Sequence, residues 1–381
     1  MNELYGLCKE TVKKRVRDET AYTDEAVKQV IFEVIAQEHK KQWIPLKERI
    51  LMGKKIFYGL CGLDVLQPIL EDDAVTDVMV NGPEHIYYEK NGQMKRSTEH
   101  FEDAKRLEDL IQQIVGNVNR SVNEANPIVD ARLPDGSRVH VVLPPVALNG
   151  PVLTIRRFRK KPITIEELIQ WGTLDETVAL YLKKAVEEKK NIFVCGGTAS
   201  GKTTLLNVLS NFIPEEERII TIEDAAELRL AKLENVVTME TRNKNAEGKG
   251  QISMRDLIRA SLRMNPDRII VGEVRGGEAL DMLQAMNTGH EGSLSTGHAN
   301  SCLDMLMRIE TMVLMGADIP LEAIRQQIAS AIDLLVFVEK RKGGIRKVSE
   351  IRQVTGYSKG EVVTKSIMRL ENGEILWTEK T

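Results

Sequence analysis

The first sixty residues alternate apolar and polar positions at the spacing of a helix. Residues 25–42, EAVKQVIFEVIAQEHKKQ, place apolar side chains three and four positions apart, so that they share one face of a helix. The pattern predicts two or three amphipathic helices, and therefore an N-terminal helical segment over residues 1–60.

Beyond residue 60 the pattern changes to short runs that are typical of β-strands. Asn91-Gly92 lies between two such runs and suits a tight hairpin turn, because both residue types tolerate a positive φ. A helical stretch follows at 101–118, and Pro134-Asp135-Gly136 then marks the turn of a second hairpin. With VLTIRRF as the last strand, the pattern predicts a small α+β domain over residues 61–158.

Residues 159–172 are predicted to link this domain to the next. The basic run RRFRKK overlaps the start of the linker, and Thr164 and Glu167 have the spacing of a capping box, which predicts the start of a helix. From residue 173 onward, β-branched runs alternate with helical patterns, which predicts a mainly parallel α/β sheet; the runs are NIFVC, RIITI, NVVTM, RIIVG and LLVFV. The tail after about residue 345 is predicted to form short antiparallel strands with turns at SKG and ENG, which completes a domain over 173–381.

Composition limits the function classes. The chain has 381 residues, enough for two domains, and its 42% hydrophobic and 29% charged residues are typical of a globular protein. A net charge of −3 and 4% aromatic residues argue against a dedicated nucleic-acid binder. The sequence predicts neither a signal peptide nor a membrane span of about 18 apolar residues. The four cysteines form no C-x-x-C pair, so we expect neither a zinc module nor a disulfide framework.

Residues 191–210, NIFVCGGTASGKTTLLNVLS, combine an apolar run, a glycine-rich turn and a helical stretch. Gly196-x-x-x-x-Gly201-Lys202-Thr203 matches the G-x-x-x-x-G-K-[ST] phosphate loop in full. Lys202 is expected to reach the β- and γ-phosphates, and the Thr203 hydroxyl to bind Mg²⁺. A GTPase is disfavoured because N-K-N-A at 243–246 stands where guanine readers carry N-K-x-D, and no LSGGQ-like transporter signature is present.

Acidic residues follow two of the predicted strands downstream of the phosphate loop. Glu223 and Asp224 come after RIITI, and Glu273 comes after RIIVG. The carboxyl ends of parallel strands meet at the edge of the sheet where the phosphate loop lies. These carboxylates are therefore candidates for the group near Mg²⁺ and for the group that polarises the attacking water.

His290 and His298 lie in NTGHEGSLSTGHANS. We interpret this segment as a strand-end loop that senses the γ-phosphate and couples it to movement. A zinc site and a pair of ordinary surface histidines are the alternatives, although no third zinc ligand is evident.

In this order the motifs resemble those of the secretion-superfamily ATPases of type II and type IV secretion systems and type IV pili. The branch that looks most similar is the CpaF-type ATPases of tight-adherence (Flp) pili. The resemblance covers about 61–345 and rests on GGTASGKTT (196–204), TIEDAAEL (221–228), LIRASLRMNPDRIIVGEVRGGEA (257–279) and TGHEGSLSTGHAN (288–300), with RLPDGSRV (132–139) and TIRRF (154–158). The first four look like the Walker A motif, the Asp box, an atypical Walker B motif and the His box.

The resemblance implies a fold and a set of site residues. The fold is an α/β, RecA-like P-loop ATPase domain preceded by a PAS-like α+β domain. The nucleotide-binding residues are Gly196, Gly197, Thr198, Ala199, Ser200, Gly201, Lys202, Thr203 and Thr204. Glu223 is expected as catalytic base and Glu273 as ligand of the Mg²⁺-bound water. His298 is expected to act in catalysis, and the coupling residues are Asp224, Arg275 and His290. Arginines that act on the phosphates, in part from a neighbouring subunit, are expected at Arg156, Arg157 and Arg159, with Arg132 and Arg138 as further candidates.

The resemblance also implies a working context. It predicts a homo-hexameric ATPase, cytoplasmic and peripheral at the inner face of the membrane, that works on an inner-membrane platform protein and only indirectly on pilin or a secreted protein. The lack of a four-cysteine zinc module after the ATPase core favours the CpaF or type IV secretion branches. No nucleic-acid partner is expected. Two alternatives stay open: a nucleic-acid translocase, since RecA-like rings also move DNA, and a nucleotide-dependent scaffold with little turnover.

Overall fold

The protein divides into two compact units, Met1–Arg159 and Lys160–Thr381. A computed structural model describes residues 2–17, 23–118, 120–157, 162–242, 244, 249–371 and 373–378. The domain boundaries predicted at 60, 158 and 172 remain predictions. None of the helices in the described ranges is long and apolar enough to cross a bilayer.

The first unit begins with the helices α1 (Asn2–Arg17), α2 (Asp24–Lys41) and α3 (Leu46–Cys61). The Thr23 hydroxyl accepts a hydrogen bond from Ala26 N and thereby caps α2. The apolar faces of the helices share a small core that includes Cys8, Val12, Val27, Ile31, Val34, Ile35, Met52 and Ile56. These helices match the helical pattern of the first sixty residues.

An antiparallel sheet completes this unit, with the strand order β3-β2-β1-β6-β5-β4. The short helix α4 precedes the sheet, and α5 shares a core with its strands. The bounds are α4 Gln67–Leu70, β1 Val75–Asn81, β2 Ile86–Lys90, β3 Gln93–Arg96, α5 Ala104–Gly116, β4 Ile128–Arg132, β5 Arg138–Val142 and β6 Val152–Arg156. Asn91 and Gly92 form the predicted hairpin turn with φ values of 54° and 74°, so the sequence signal for this turn is confirmed.

The second unit is built on a sheet with the order β15-β14-β13-β12-β7-β11-β10-β8-β9. The strands from β12 to β9 in this order are parallel, and β13, β14 and β15 extend the sheet beyond β12, each antiparallel to its neighbour. The strands are β7 Ile192–Gly196, β8 Ile219–Glu223, β9 Val236–Glu240, β10 Arg268–Val271, β11 Leu294–His298, β12 Leu334–Lys340, β13 Arg346–Ser358, β14 Glu361–Glu371 and β15 Glu374–Trp377.

Helices cover both faces of this sheet. Alternate residues of β7 belong to different cores: Phe193 packs in the core that includes α9 to α12, and Val194 packs in the core that includes α6 to α8. The helices are α6 Ile165–Gln170, α7 Glu176–Glu187, α8 Lys202–Ser210, α9 Met254–Ser261, α10 Glu278–Asn287, α11 Cys302–Gly316 and α12 Leu321–Ala331. The predicted capping box is present at α6, where Thr164 and Glu167 bond to each other's backbone. The predicted α/β class with a mainly parallel sheet is confirmed for this unit.

Two predictions about this unit were wrong in detail. The segment around His298 is not only a loop, because Leu294–His298 forms the central strand β11, between β7 and β10. Its small polar residues lack the β-branched apolar run of a buried strand, although Ser295 and Thr296 are fully buried. The tail strands β13 and β14 are 13 and 11 residues long, and not short as predicted.

Candidate active site

The phosphate loop leaves β7 and enters α8. A Cβ atom on Gly196 would lie 2.2 Å from the carbonyl oxygen of Val338 on the neighbouring β12, so a larger residue cannot be accommodated. Gly201 has a φ of 99°, a left-handed conformation that favours glycine, and it caps the amino-terminal end of α8. The amino-terminal end of α8 therefore faces the loop, as an anion-binding loop requires.

Lys202 places its ammonium group inside this loop. Its Nζ donates a hydrogen bond to the carbonyl oxygen of Gly197 at 3.0 Å and lies 3.4 Å from Nδ1 of His298. Burial lowers the pKa of Lys202, and a nearby phosphate would supply the negative charge that compensates for this desolvation. The hydroxyl of Ser200 is buried and has no hydrogen-bond partner in the described part of the chain. An uncompensated donor at this position fits a phosphate oxygen.

Glu223 is the last residue of β8 and is buried. Its Oε1 accepts hydrogen bonds from the backbone N–H groups of Glu227 and Leu228, at 2.9 and 3.1 Å. Burial raises the pKa of Glu223 to about 7, and the two backbone hydrogen bonds oppose this rise. A carboxylate with a pKa near neutrality has the properties of a general base.

Glu273 lies between a histidine and an arginine, just beyond the end of β10. Its Oε1 is 2.9 Å from Nε2 of His298, and its Oε2 accepts a hydrogen bond from Nη2 of Arg275 at 2.8 Å. Nη1 of Arg275 in turn lies 3.3 Å from Oδ2 of Asp224. Lys202, His298, Glu273, Arg275 and Asp224 thus form a continuous chain of polar side chains. We call this set the polar chain.

The protonation of the polar chain follows from its geometry. Burial and, secondarily, the positive charge of Lys202 lower the pKa of His298, so its imidazole is neutral at neutral pH. The hydrogen bond from Arg275 to Glu273 raises the pKa of Arg275. A change of charge next to Lys202, such as the loss of a phosphate group, can therefore affect Glu273 through the neutral imidazole of His298.

The backbone fixes the position of Glu273 from both sides. Gly272 N donates to the carbonyl oxygen of Ile222 at 2.8 Å, and Val274 N donates to that of Thr296 at 2.9 Å. The Thr296 hydroxyl also donates to the carbonyl oxygen of Gly272 at 2.7 Å. The segment that carries Glu273 is thus attached to the strands on either side of β10, β8 and β11.

The structure does not bring His290 to this site. His298 is the last residue of β11, next to Gly196 in register, whereas His290 precedes the opposite end of the strand. The imidazole Nδ1 of His290 lies 3.2 Å from the carbonyl oxygen of Ala285. The interpretation that one loop carries both histidines is therefore corrected, because the whole length of β11 lies between His290 and His298.

The arginines predicted to act on phosphates lie in the first unit and differ in their surroundings. Arg157 is held by its own unit: its guanidinium donates to the carbonyl oxygens of Asp72 and Val75 and pairs with Asp73. It would have to break these contacts to reach a phosphate. Arg159 lies outside the described residues.

Arg132, Arg138 and Arg156 form a row across three neighbouring strands. Arg132 pairs in register with Arg138, and Arg138 pairs with Arg156. The adjacent residues Ala131, Val139 and Ile155 are buried, so the arginines share the opposite face of the sheet. Like charges directly opposite each other destabilise a sheet, and the carboxylate of Asp130 offsets part of this repulsion through an ion pair with Nη2 of Arg138 at 3.4 Å. We refer to these residues as the arginine row.

Sequence reasoning missed one residue at the phosphate loop. Nε of Arg346, the first residue of β13, donates a hydrogen bond to the carbonyl oxygen of Ala199 at 3.1 Å. The signal was absent from the sequence because Arg346 lies far from the motif along the chain and belongs to no recognised pattern.

The fold and the site define a P-loop nucleotide-hydrolysing protein, and comparisons with known proteins give the family. Residues 61–348 match the family model described as "Type II/IV secretion system protein". The putative conjugal transfer protein Rv3659c of Mycobacterium tuberculosis is 35% identical over 320 residues, which cover 82% of this chain and 90% of the relative. The type IV secretion system protein PtlH of Bordetella pertussis is 34% identical over 319 residues, which cover 76% of this chain and 93% of the relative.

A solved structure supports the fold. The pilus retraction motor PilT with bound ADP aligns with a TM-score of 0.56 and 21% identity, over 83% of each chain. The chain belongs to the type II/IV secretion system ATPase family and is a nucleotide-binding ATPase. The predicted family is confirmed at this level.

Proposed function

We propose that this protein is a Mg²⁺-dependent ATPase that works as a hexameric ring motor. The observation that carries the proposal is the polar chain, which connects the phosphate-loop lysine to Glu273, Arg275 and Asp224 through His298. Loss of the γ-phosphate changes the charge next to Lys202. The chain converts that change into a rearrangement beside the ends of β8 and β10.

The roles within the site follow from its electrostatics. Glu223 is the general base, because its raised pKa leaves it able to take a proton from the attacking water at neutral pH. The Thr203 hydroxyl and the Glu273 carboxylate are the groups that would hold Mg²⁺ and its water, since hard oxygen ligands suit this ion. Mg²⁺ would neutralise phosphate charge, while Lys202 and the loop N–H groups orient the phosphates.

The arginine row is the candidate for the positive charge that completes the site. Three arginines in register concentrate positive charge on one face of the sheet, and the carboxylate of Asp130 compensates this charge in part through an ion pair with Arg138 at 3.4 Å. We propose that the row acts on the ATP phosphates in the assembled ring, in part across a subunit boundary. An arginine that comes from a neighbouring subunit stabilises the charge of the transition state, so hydrolysis then depends on assembly of the ring.

Within the family, we propose that the protein belongs to the branch of CpaF-type ATPases of tight-adherence pili. This assignment is supported by the RLPDGSRV and TIRRF segments, which carry Arg132, Arg138 and Arg156. In this assignment the ring acts from the cytoplasmic face on an inner-membrane platform protein, and on pilin or a secreted protein only indirectly. Movement of nucleic acid, by contrast, would show as turnover stimulated by single-stranded DNA.

Phosphate release from ATP, with and without EDTA, tests the proposal. Lys202→Ala and Glu223→Gln are expected to lower turnover at least about 100-fold through lost phosphate contacts and a lost base. Glu215→Gln is the matched control, because Glu215 is exposed and lies away from the polar chain. Turnover by Glu223→Gln at the wild-type rate would contradict the assignment of the base and favour a scaffold.

A further inference from the structure

The strands β13 to β15, which we call the C-terminal extension, reach the phosphate loop through the hairpin that joins β12 to β13. In the parallel pair of β7 and β12, Gly196 aligns with Val338, and β12 continues to Lys340. The chain then turns within residues 341–345, closed by a hydrogen bond from Arg341 N to the carbonyl oxygen of Ile345. Arg346 begins β13 opposite Lys340. The hairpin therefore projects past the end of β7, where the phosphate loop begins.

Arg346 contacts the loop at two places. Its Nε donates to the carbonyl oxygen of Ala199. Its Cδ would lie 3.1 Å from a Cβ atom on Gly201, so the aliphatic part of the side chain crosses this glycine. Nη1 and Nη2 have no partner among the described residues. The guanidinium is thus attached by one nitrogen to the loop and keeps further donors available.

The hydrogen bond to Ala199 acts on an unusual peptide group. Ala199 has a φ of 56°, which is uncommon for a residue other than glycine. Its carbonyl belongs to the same peptide unit as the N–H group of Ser200. A charged donor on that carbonyl both holds the left-handed conformation and polarises the N–H group, because linked hydrogen bonds strengthen one another. The N–H groups of a phosphate loop are the donors that bind phosphate.

We propose that Arg346 is a positioning residue for nucleotide binding, which makes the C-terminal extension β13–β15 part of the nucleotide site. Arg346 acts through the Ala199–Ser200 peptide and sets the conformation of the loop before the nucleotide arrives. This inference rests on the proposed ATPase function. It assigns a role to a segment that the sequence motifs leave unexplained.

Calorimetric titration of the full chain with ADP and Mg²⁺ tests the inference, together with steady-state ATP turnover. Arg346→Ala is expected to weaken ADP binding about tenfold and to raise the KM for ATP by a similar factor, since a hydrogen bond from a charged group is lost. The kcat is expected to change less than about threefold, because the interaction is the same in ground and transition states. Arg346→Lys, which keeps a charged donor, is expected to retain most of the affinity.

Lys347→Ala is the matched control: it removes a positive charge one position along β13. The Tm of the nucleotide-free protein is expected to stay within about 2 °C of wild type in all three variants, because a surface substitution costs little. An ADP affinity of Arg346→Ala within twofold of wild type, with Lys202→Ala strongly impaired, overturns the role of Arg346 and leaves the ATPase function standing. A wild-type chain that neither binds ADP nor hydrolyses ATP overturns both.

Discussion

Gly272 lies directly against the side chain of Glu223: a Cβ atom on residue 272 would be 2.8 Å from Cγ of Glu223. The atypical Walker B motif therefore has a glycine at this position for a steric reason. The absence of a side chain at 272 leaves the space in which the buried carboxylate of Glu223 turns toward the N–H groups of Glu227 and Leu228.

Gly272→Ala is expected to lower kcat about 10- to 100-fold, because the added methyl group displaces the Glu223 carboxylate by a fraction of an ångström or more. ADP affinity is expected to change little, since residue 272 is not in the phosphate loop. The measurements are steady-state turnover and ADP titration. Gly116→Ala controls for the loss of a glycine, because nothing lies within 4 Å of its added Cβ. Wild-type turnover in Gly272→Ala would mean that the position of Glu223 is not critical.

Turnover is expected to depend on pH through Glu223. Burial raises the pKa of Glu223 to about 7, and a general base must be ionised, so kcat should rise with pH and level off above about 8. At one pH unit below the pKa, kcat should be about tenfold lower than at the plateau. Turnover at saturating ATP between pH 5.5 and 8.5 measures this. A flat profile from pH 5.5 to 7.5 would indicate a base with an ordinary carboxyl pKa.

Local sequence signals identify candidate residues of the site, whereas the geometry of the site depends on contacts between segments that are distant in the sequence. The phosphate loop, the carboxylates Glu223 and Glu273, and the hairpin turn at Asn91-Gly92 have local signals, since their function depends on residues a few positions apart. The steric relation of Gly272 to Glu223 has no such signal, because it arises only when β10 lies beside β8.

The other differences between the predictions and the structure also arise from contacts between segments that are distant in the sequence. Leu294–His298 was not predicted as a strand because its serine, threonine and glycine are buried only through neighbours on both sides. Cys195 and Cys302 are distant in sequence, yet the fold buries both, and the Cys195 thiol together with burial raises the pKa of Cys302. Arg346 reaches the phosphate loop through the pairing of β12 with β7, which the sequence pattern does not specify.

The two histidines of the His box are expected to behave differently. His298→Ala should lower kcat about 10-fold or more, because it interrupts the polar chain between Lys202 and Glu273. His290→Ala is the matched control and should turn over ATP within about twofold of wild type, since His290 lies beyond the other end of β11. Steady-state phosphate release distinguishes them. Equal losses in both variants would contradict the separation of the histidines.

The arginine row is expected to be required for hydrolysis. The double variant Arg138→Ala, Arg156→Ala should lower kcat about 100-fold or more, as for an arginine that stabilises transition-state charge. Arg96→Ala is the control, because Arg96 lies at the opposite edge of the same sheet. Mixing the double variant with Lys202→Ala tests action between subunits. Recovery of turnover on mixing would show that one chain supplies the arginines and another the phosphate loop, and no recovery would place both functions in one chain.

In the proposed mechanism, assembly into a ring completes the catalytic site. ATP turnover per subunit, measured with Mg²⁺ over a wide range of protein concentration, tests this claim most directly. We expect turnover to rise steeply with concentration and to level off where the ring is fully formed, because a dilute subunit lacks its neighbour's arginines. Turnover per subunit that is high and independent of concentration, under conditions where the protein is monomeric, would contradict the ring motor.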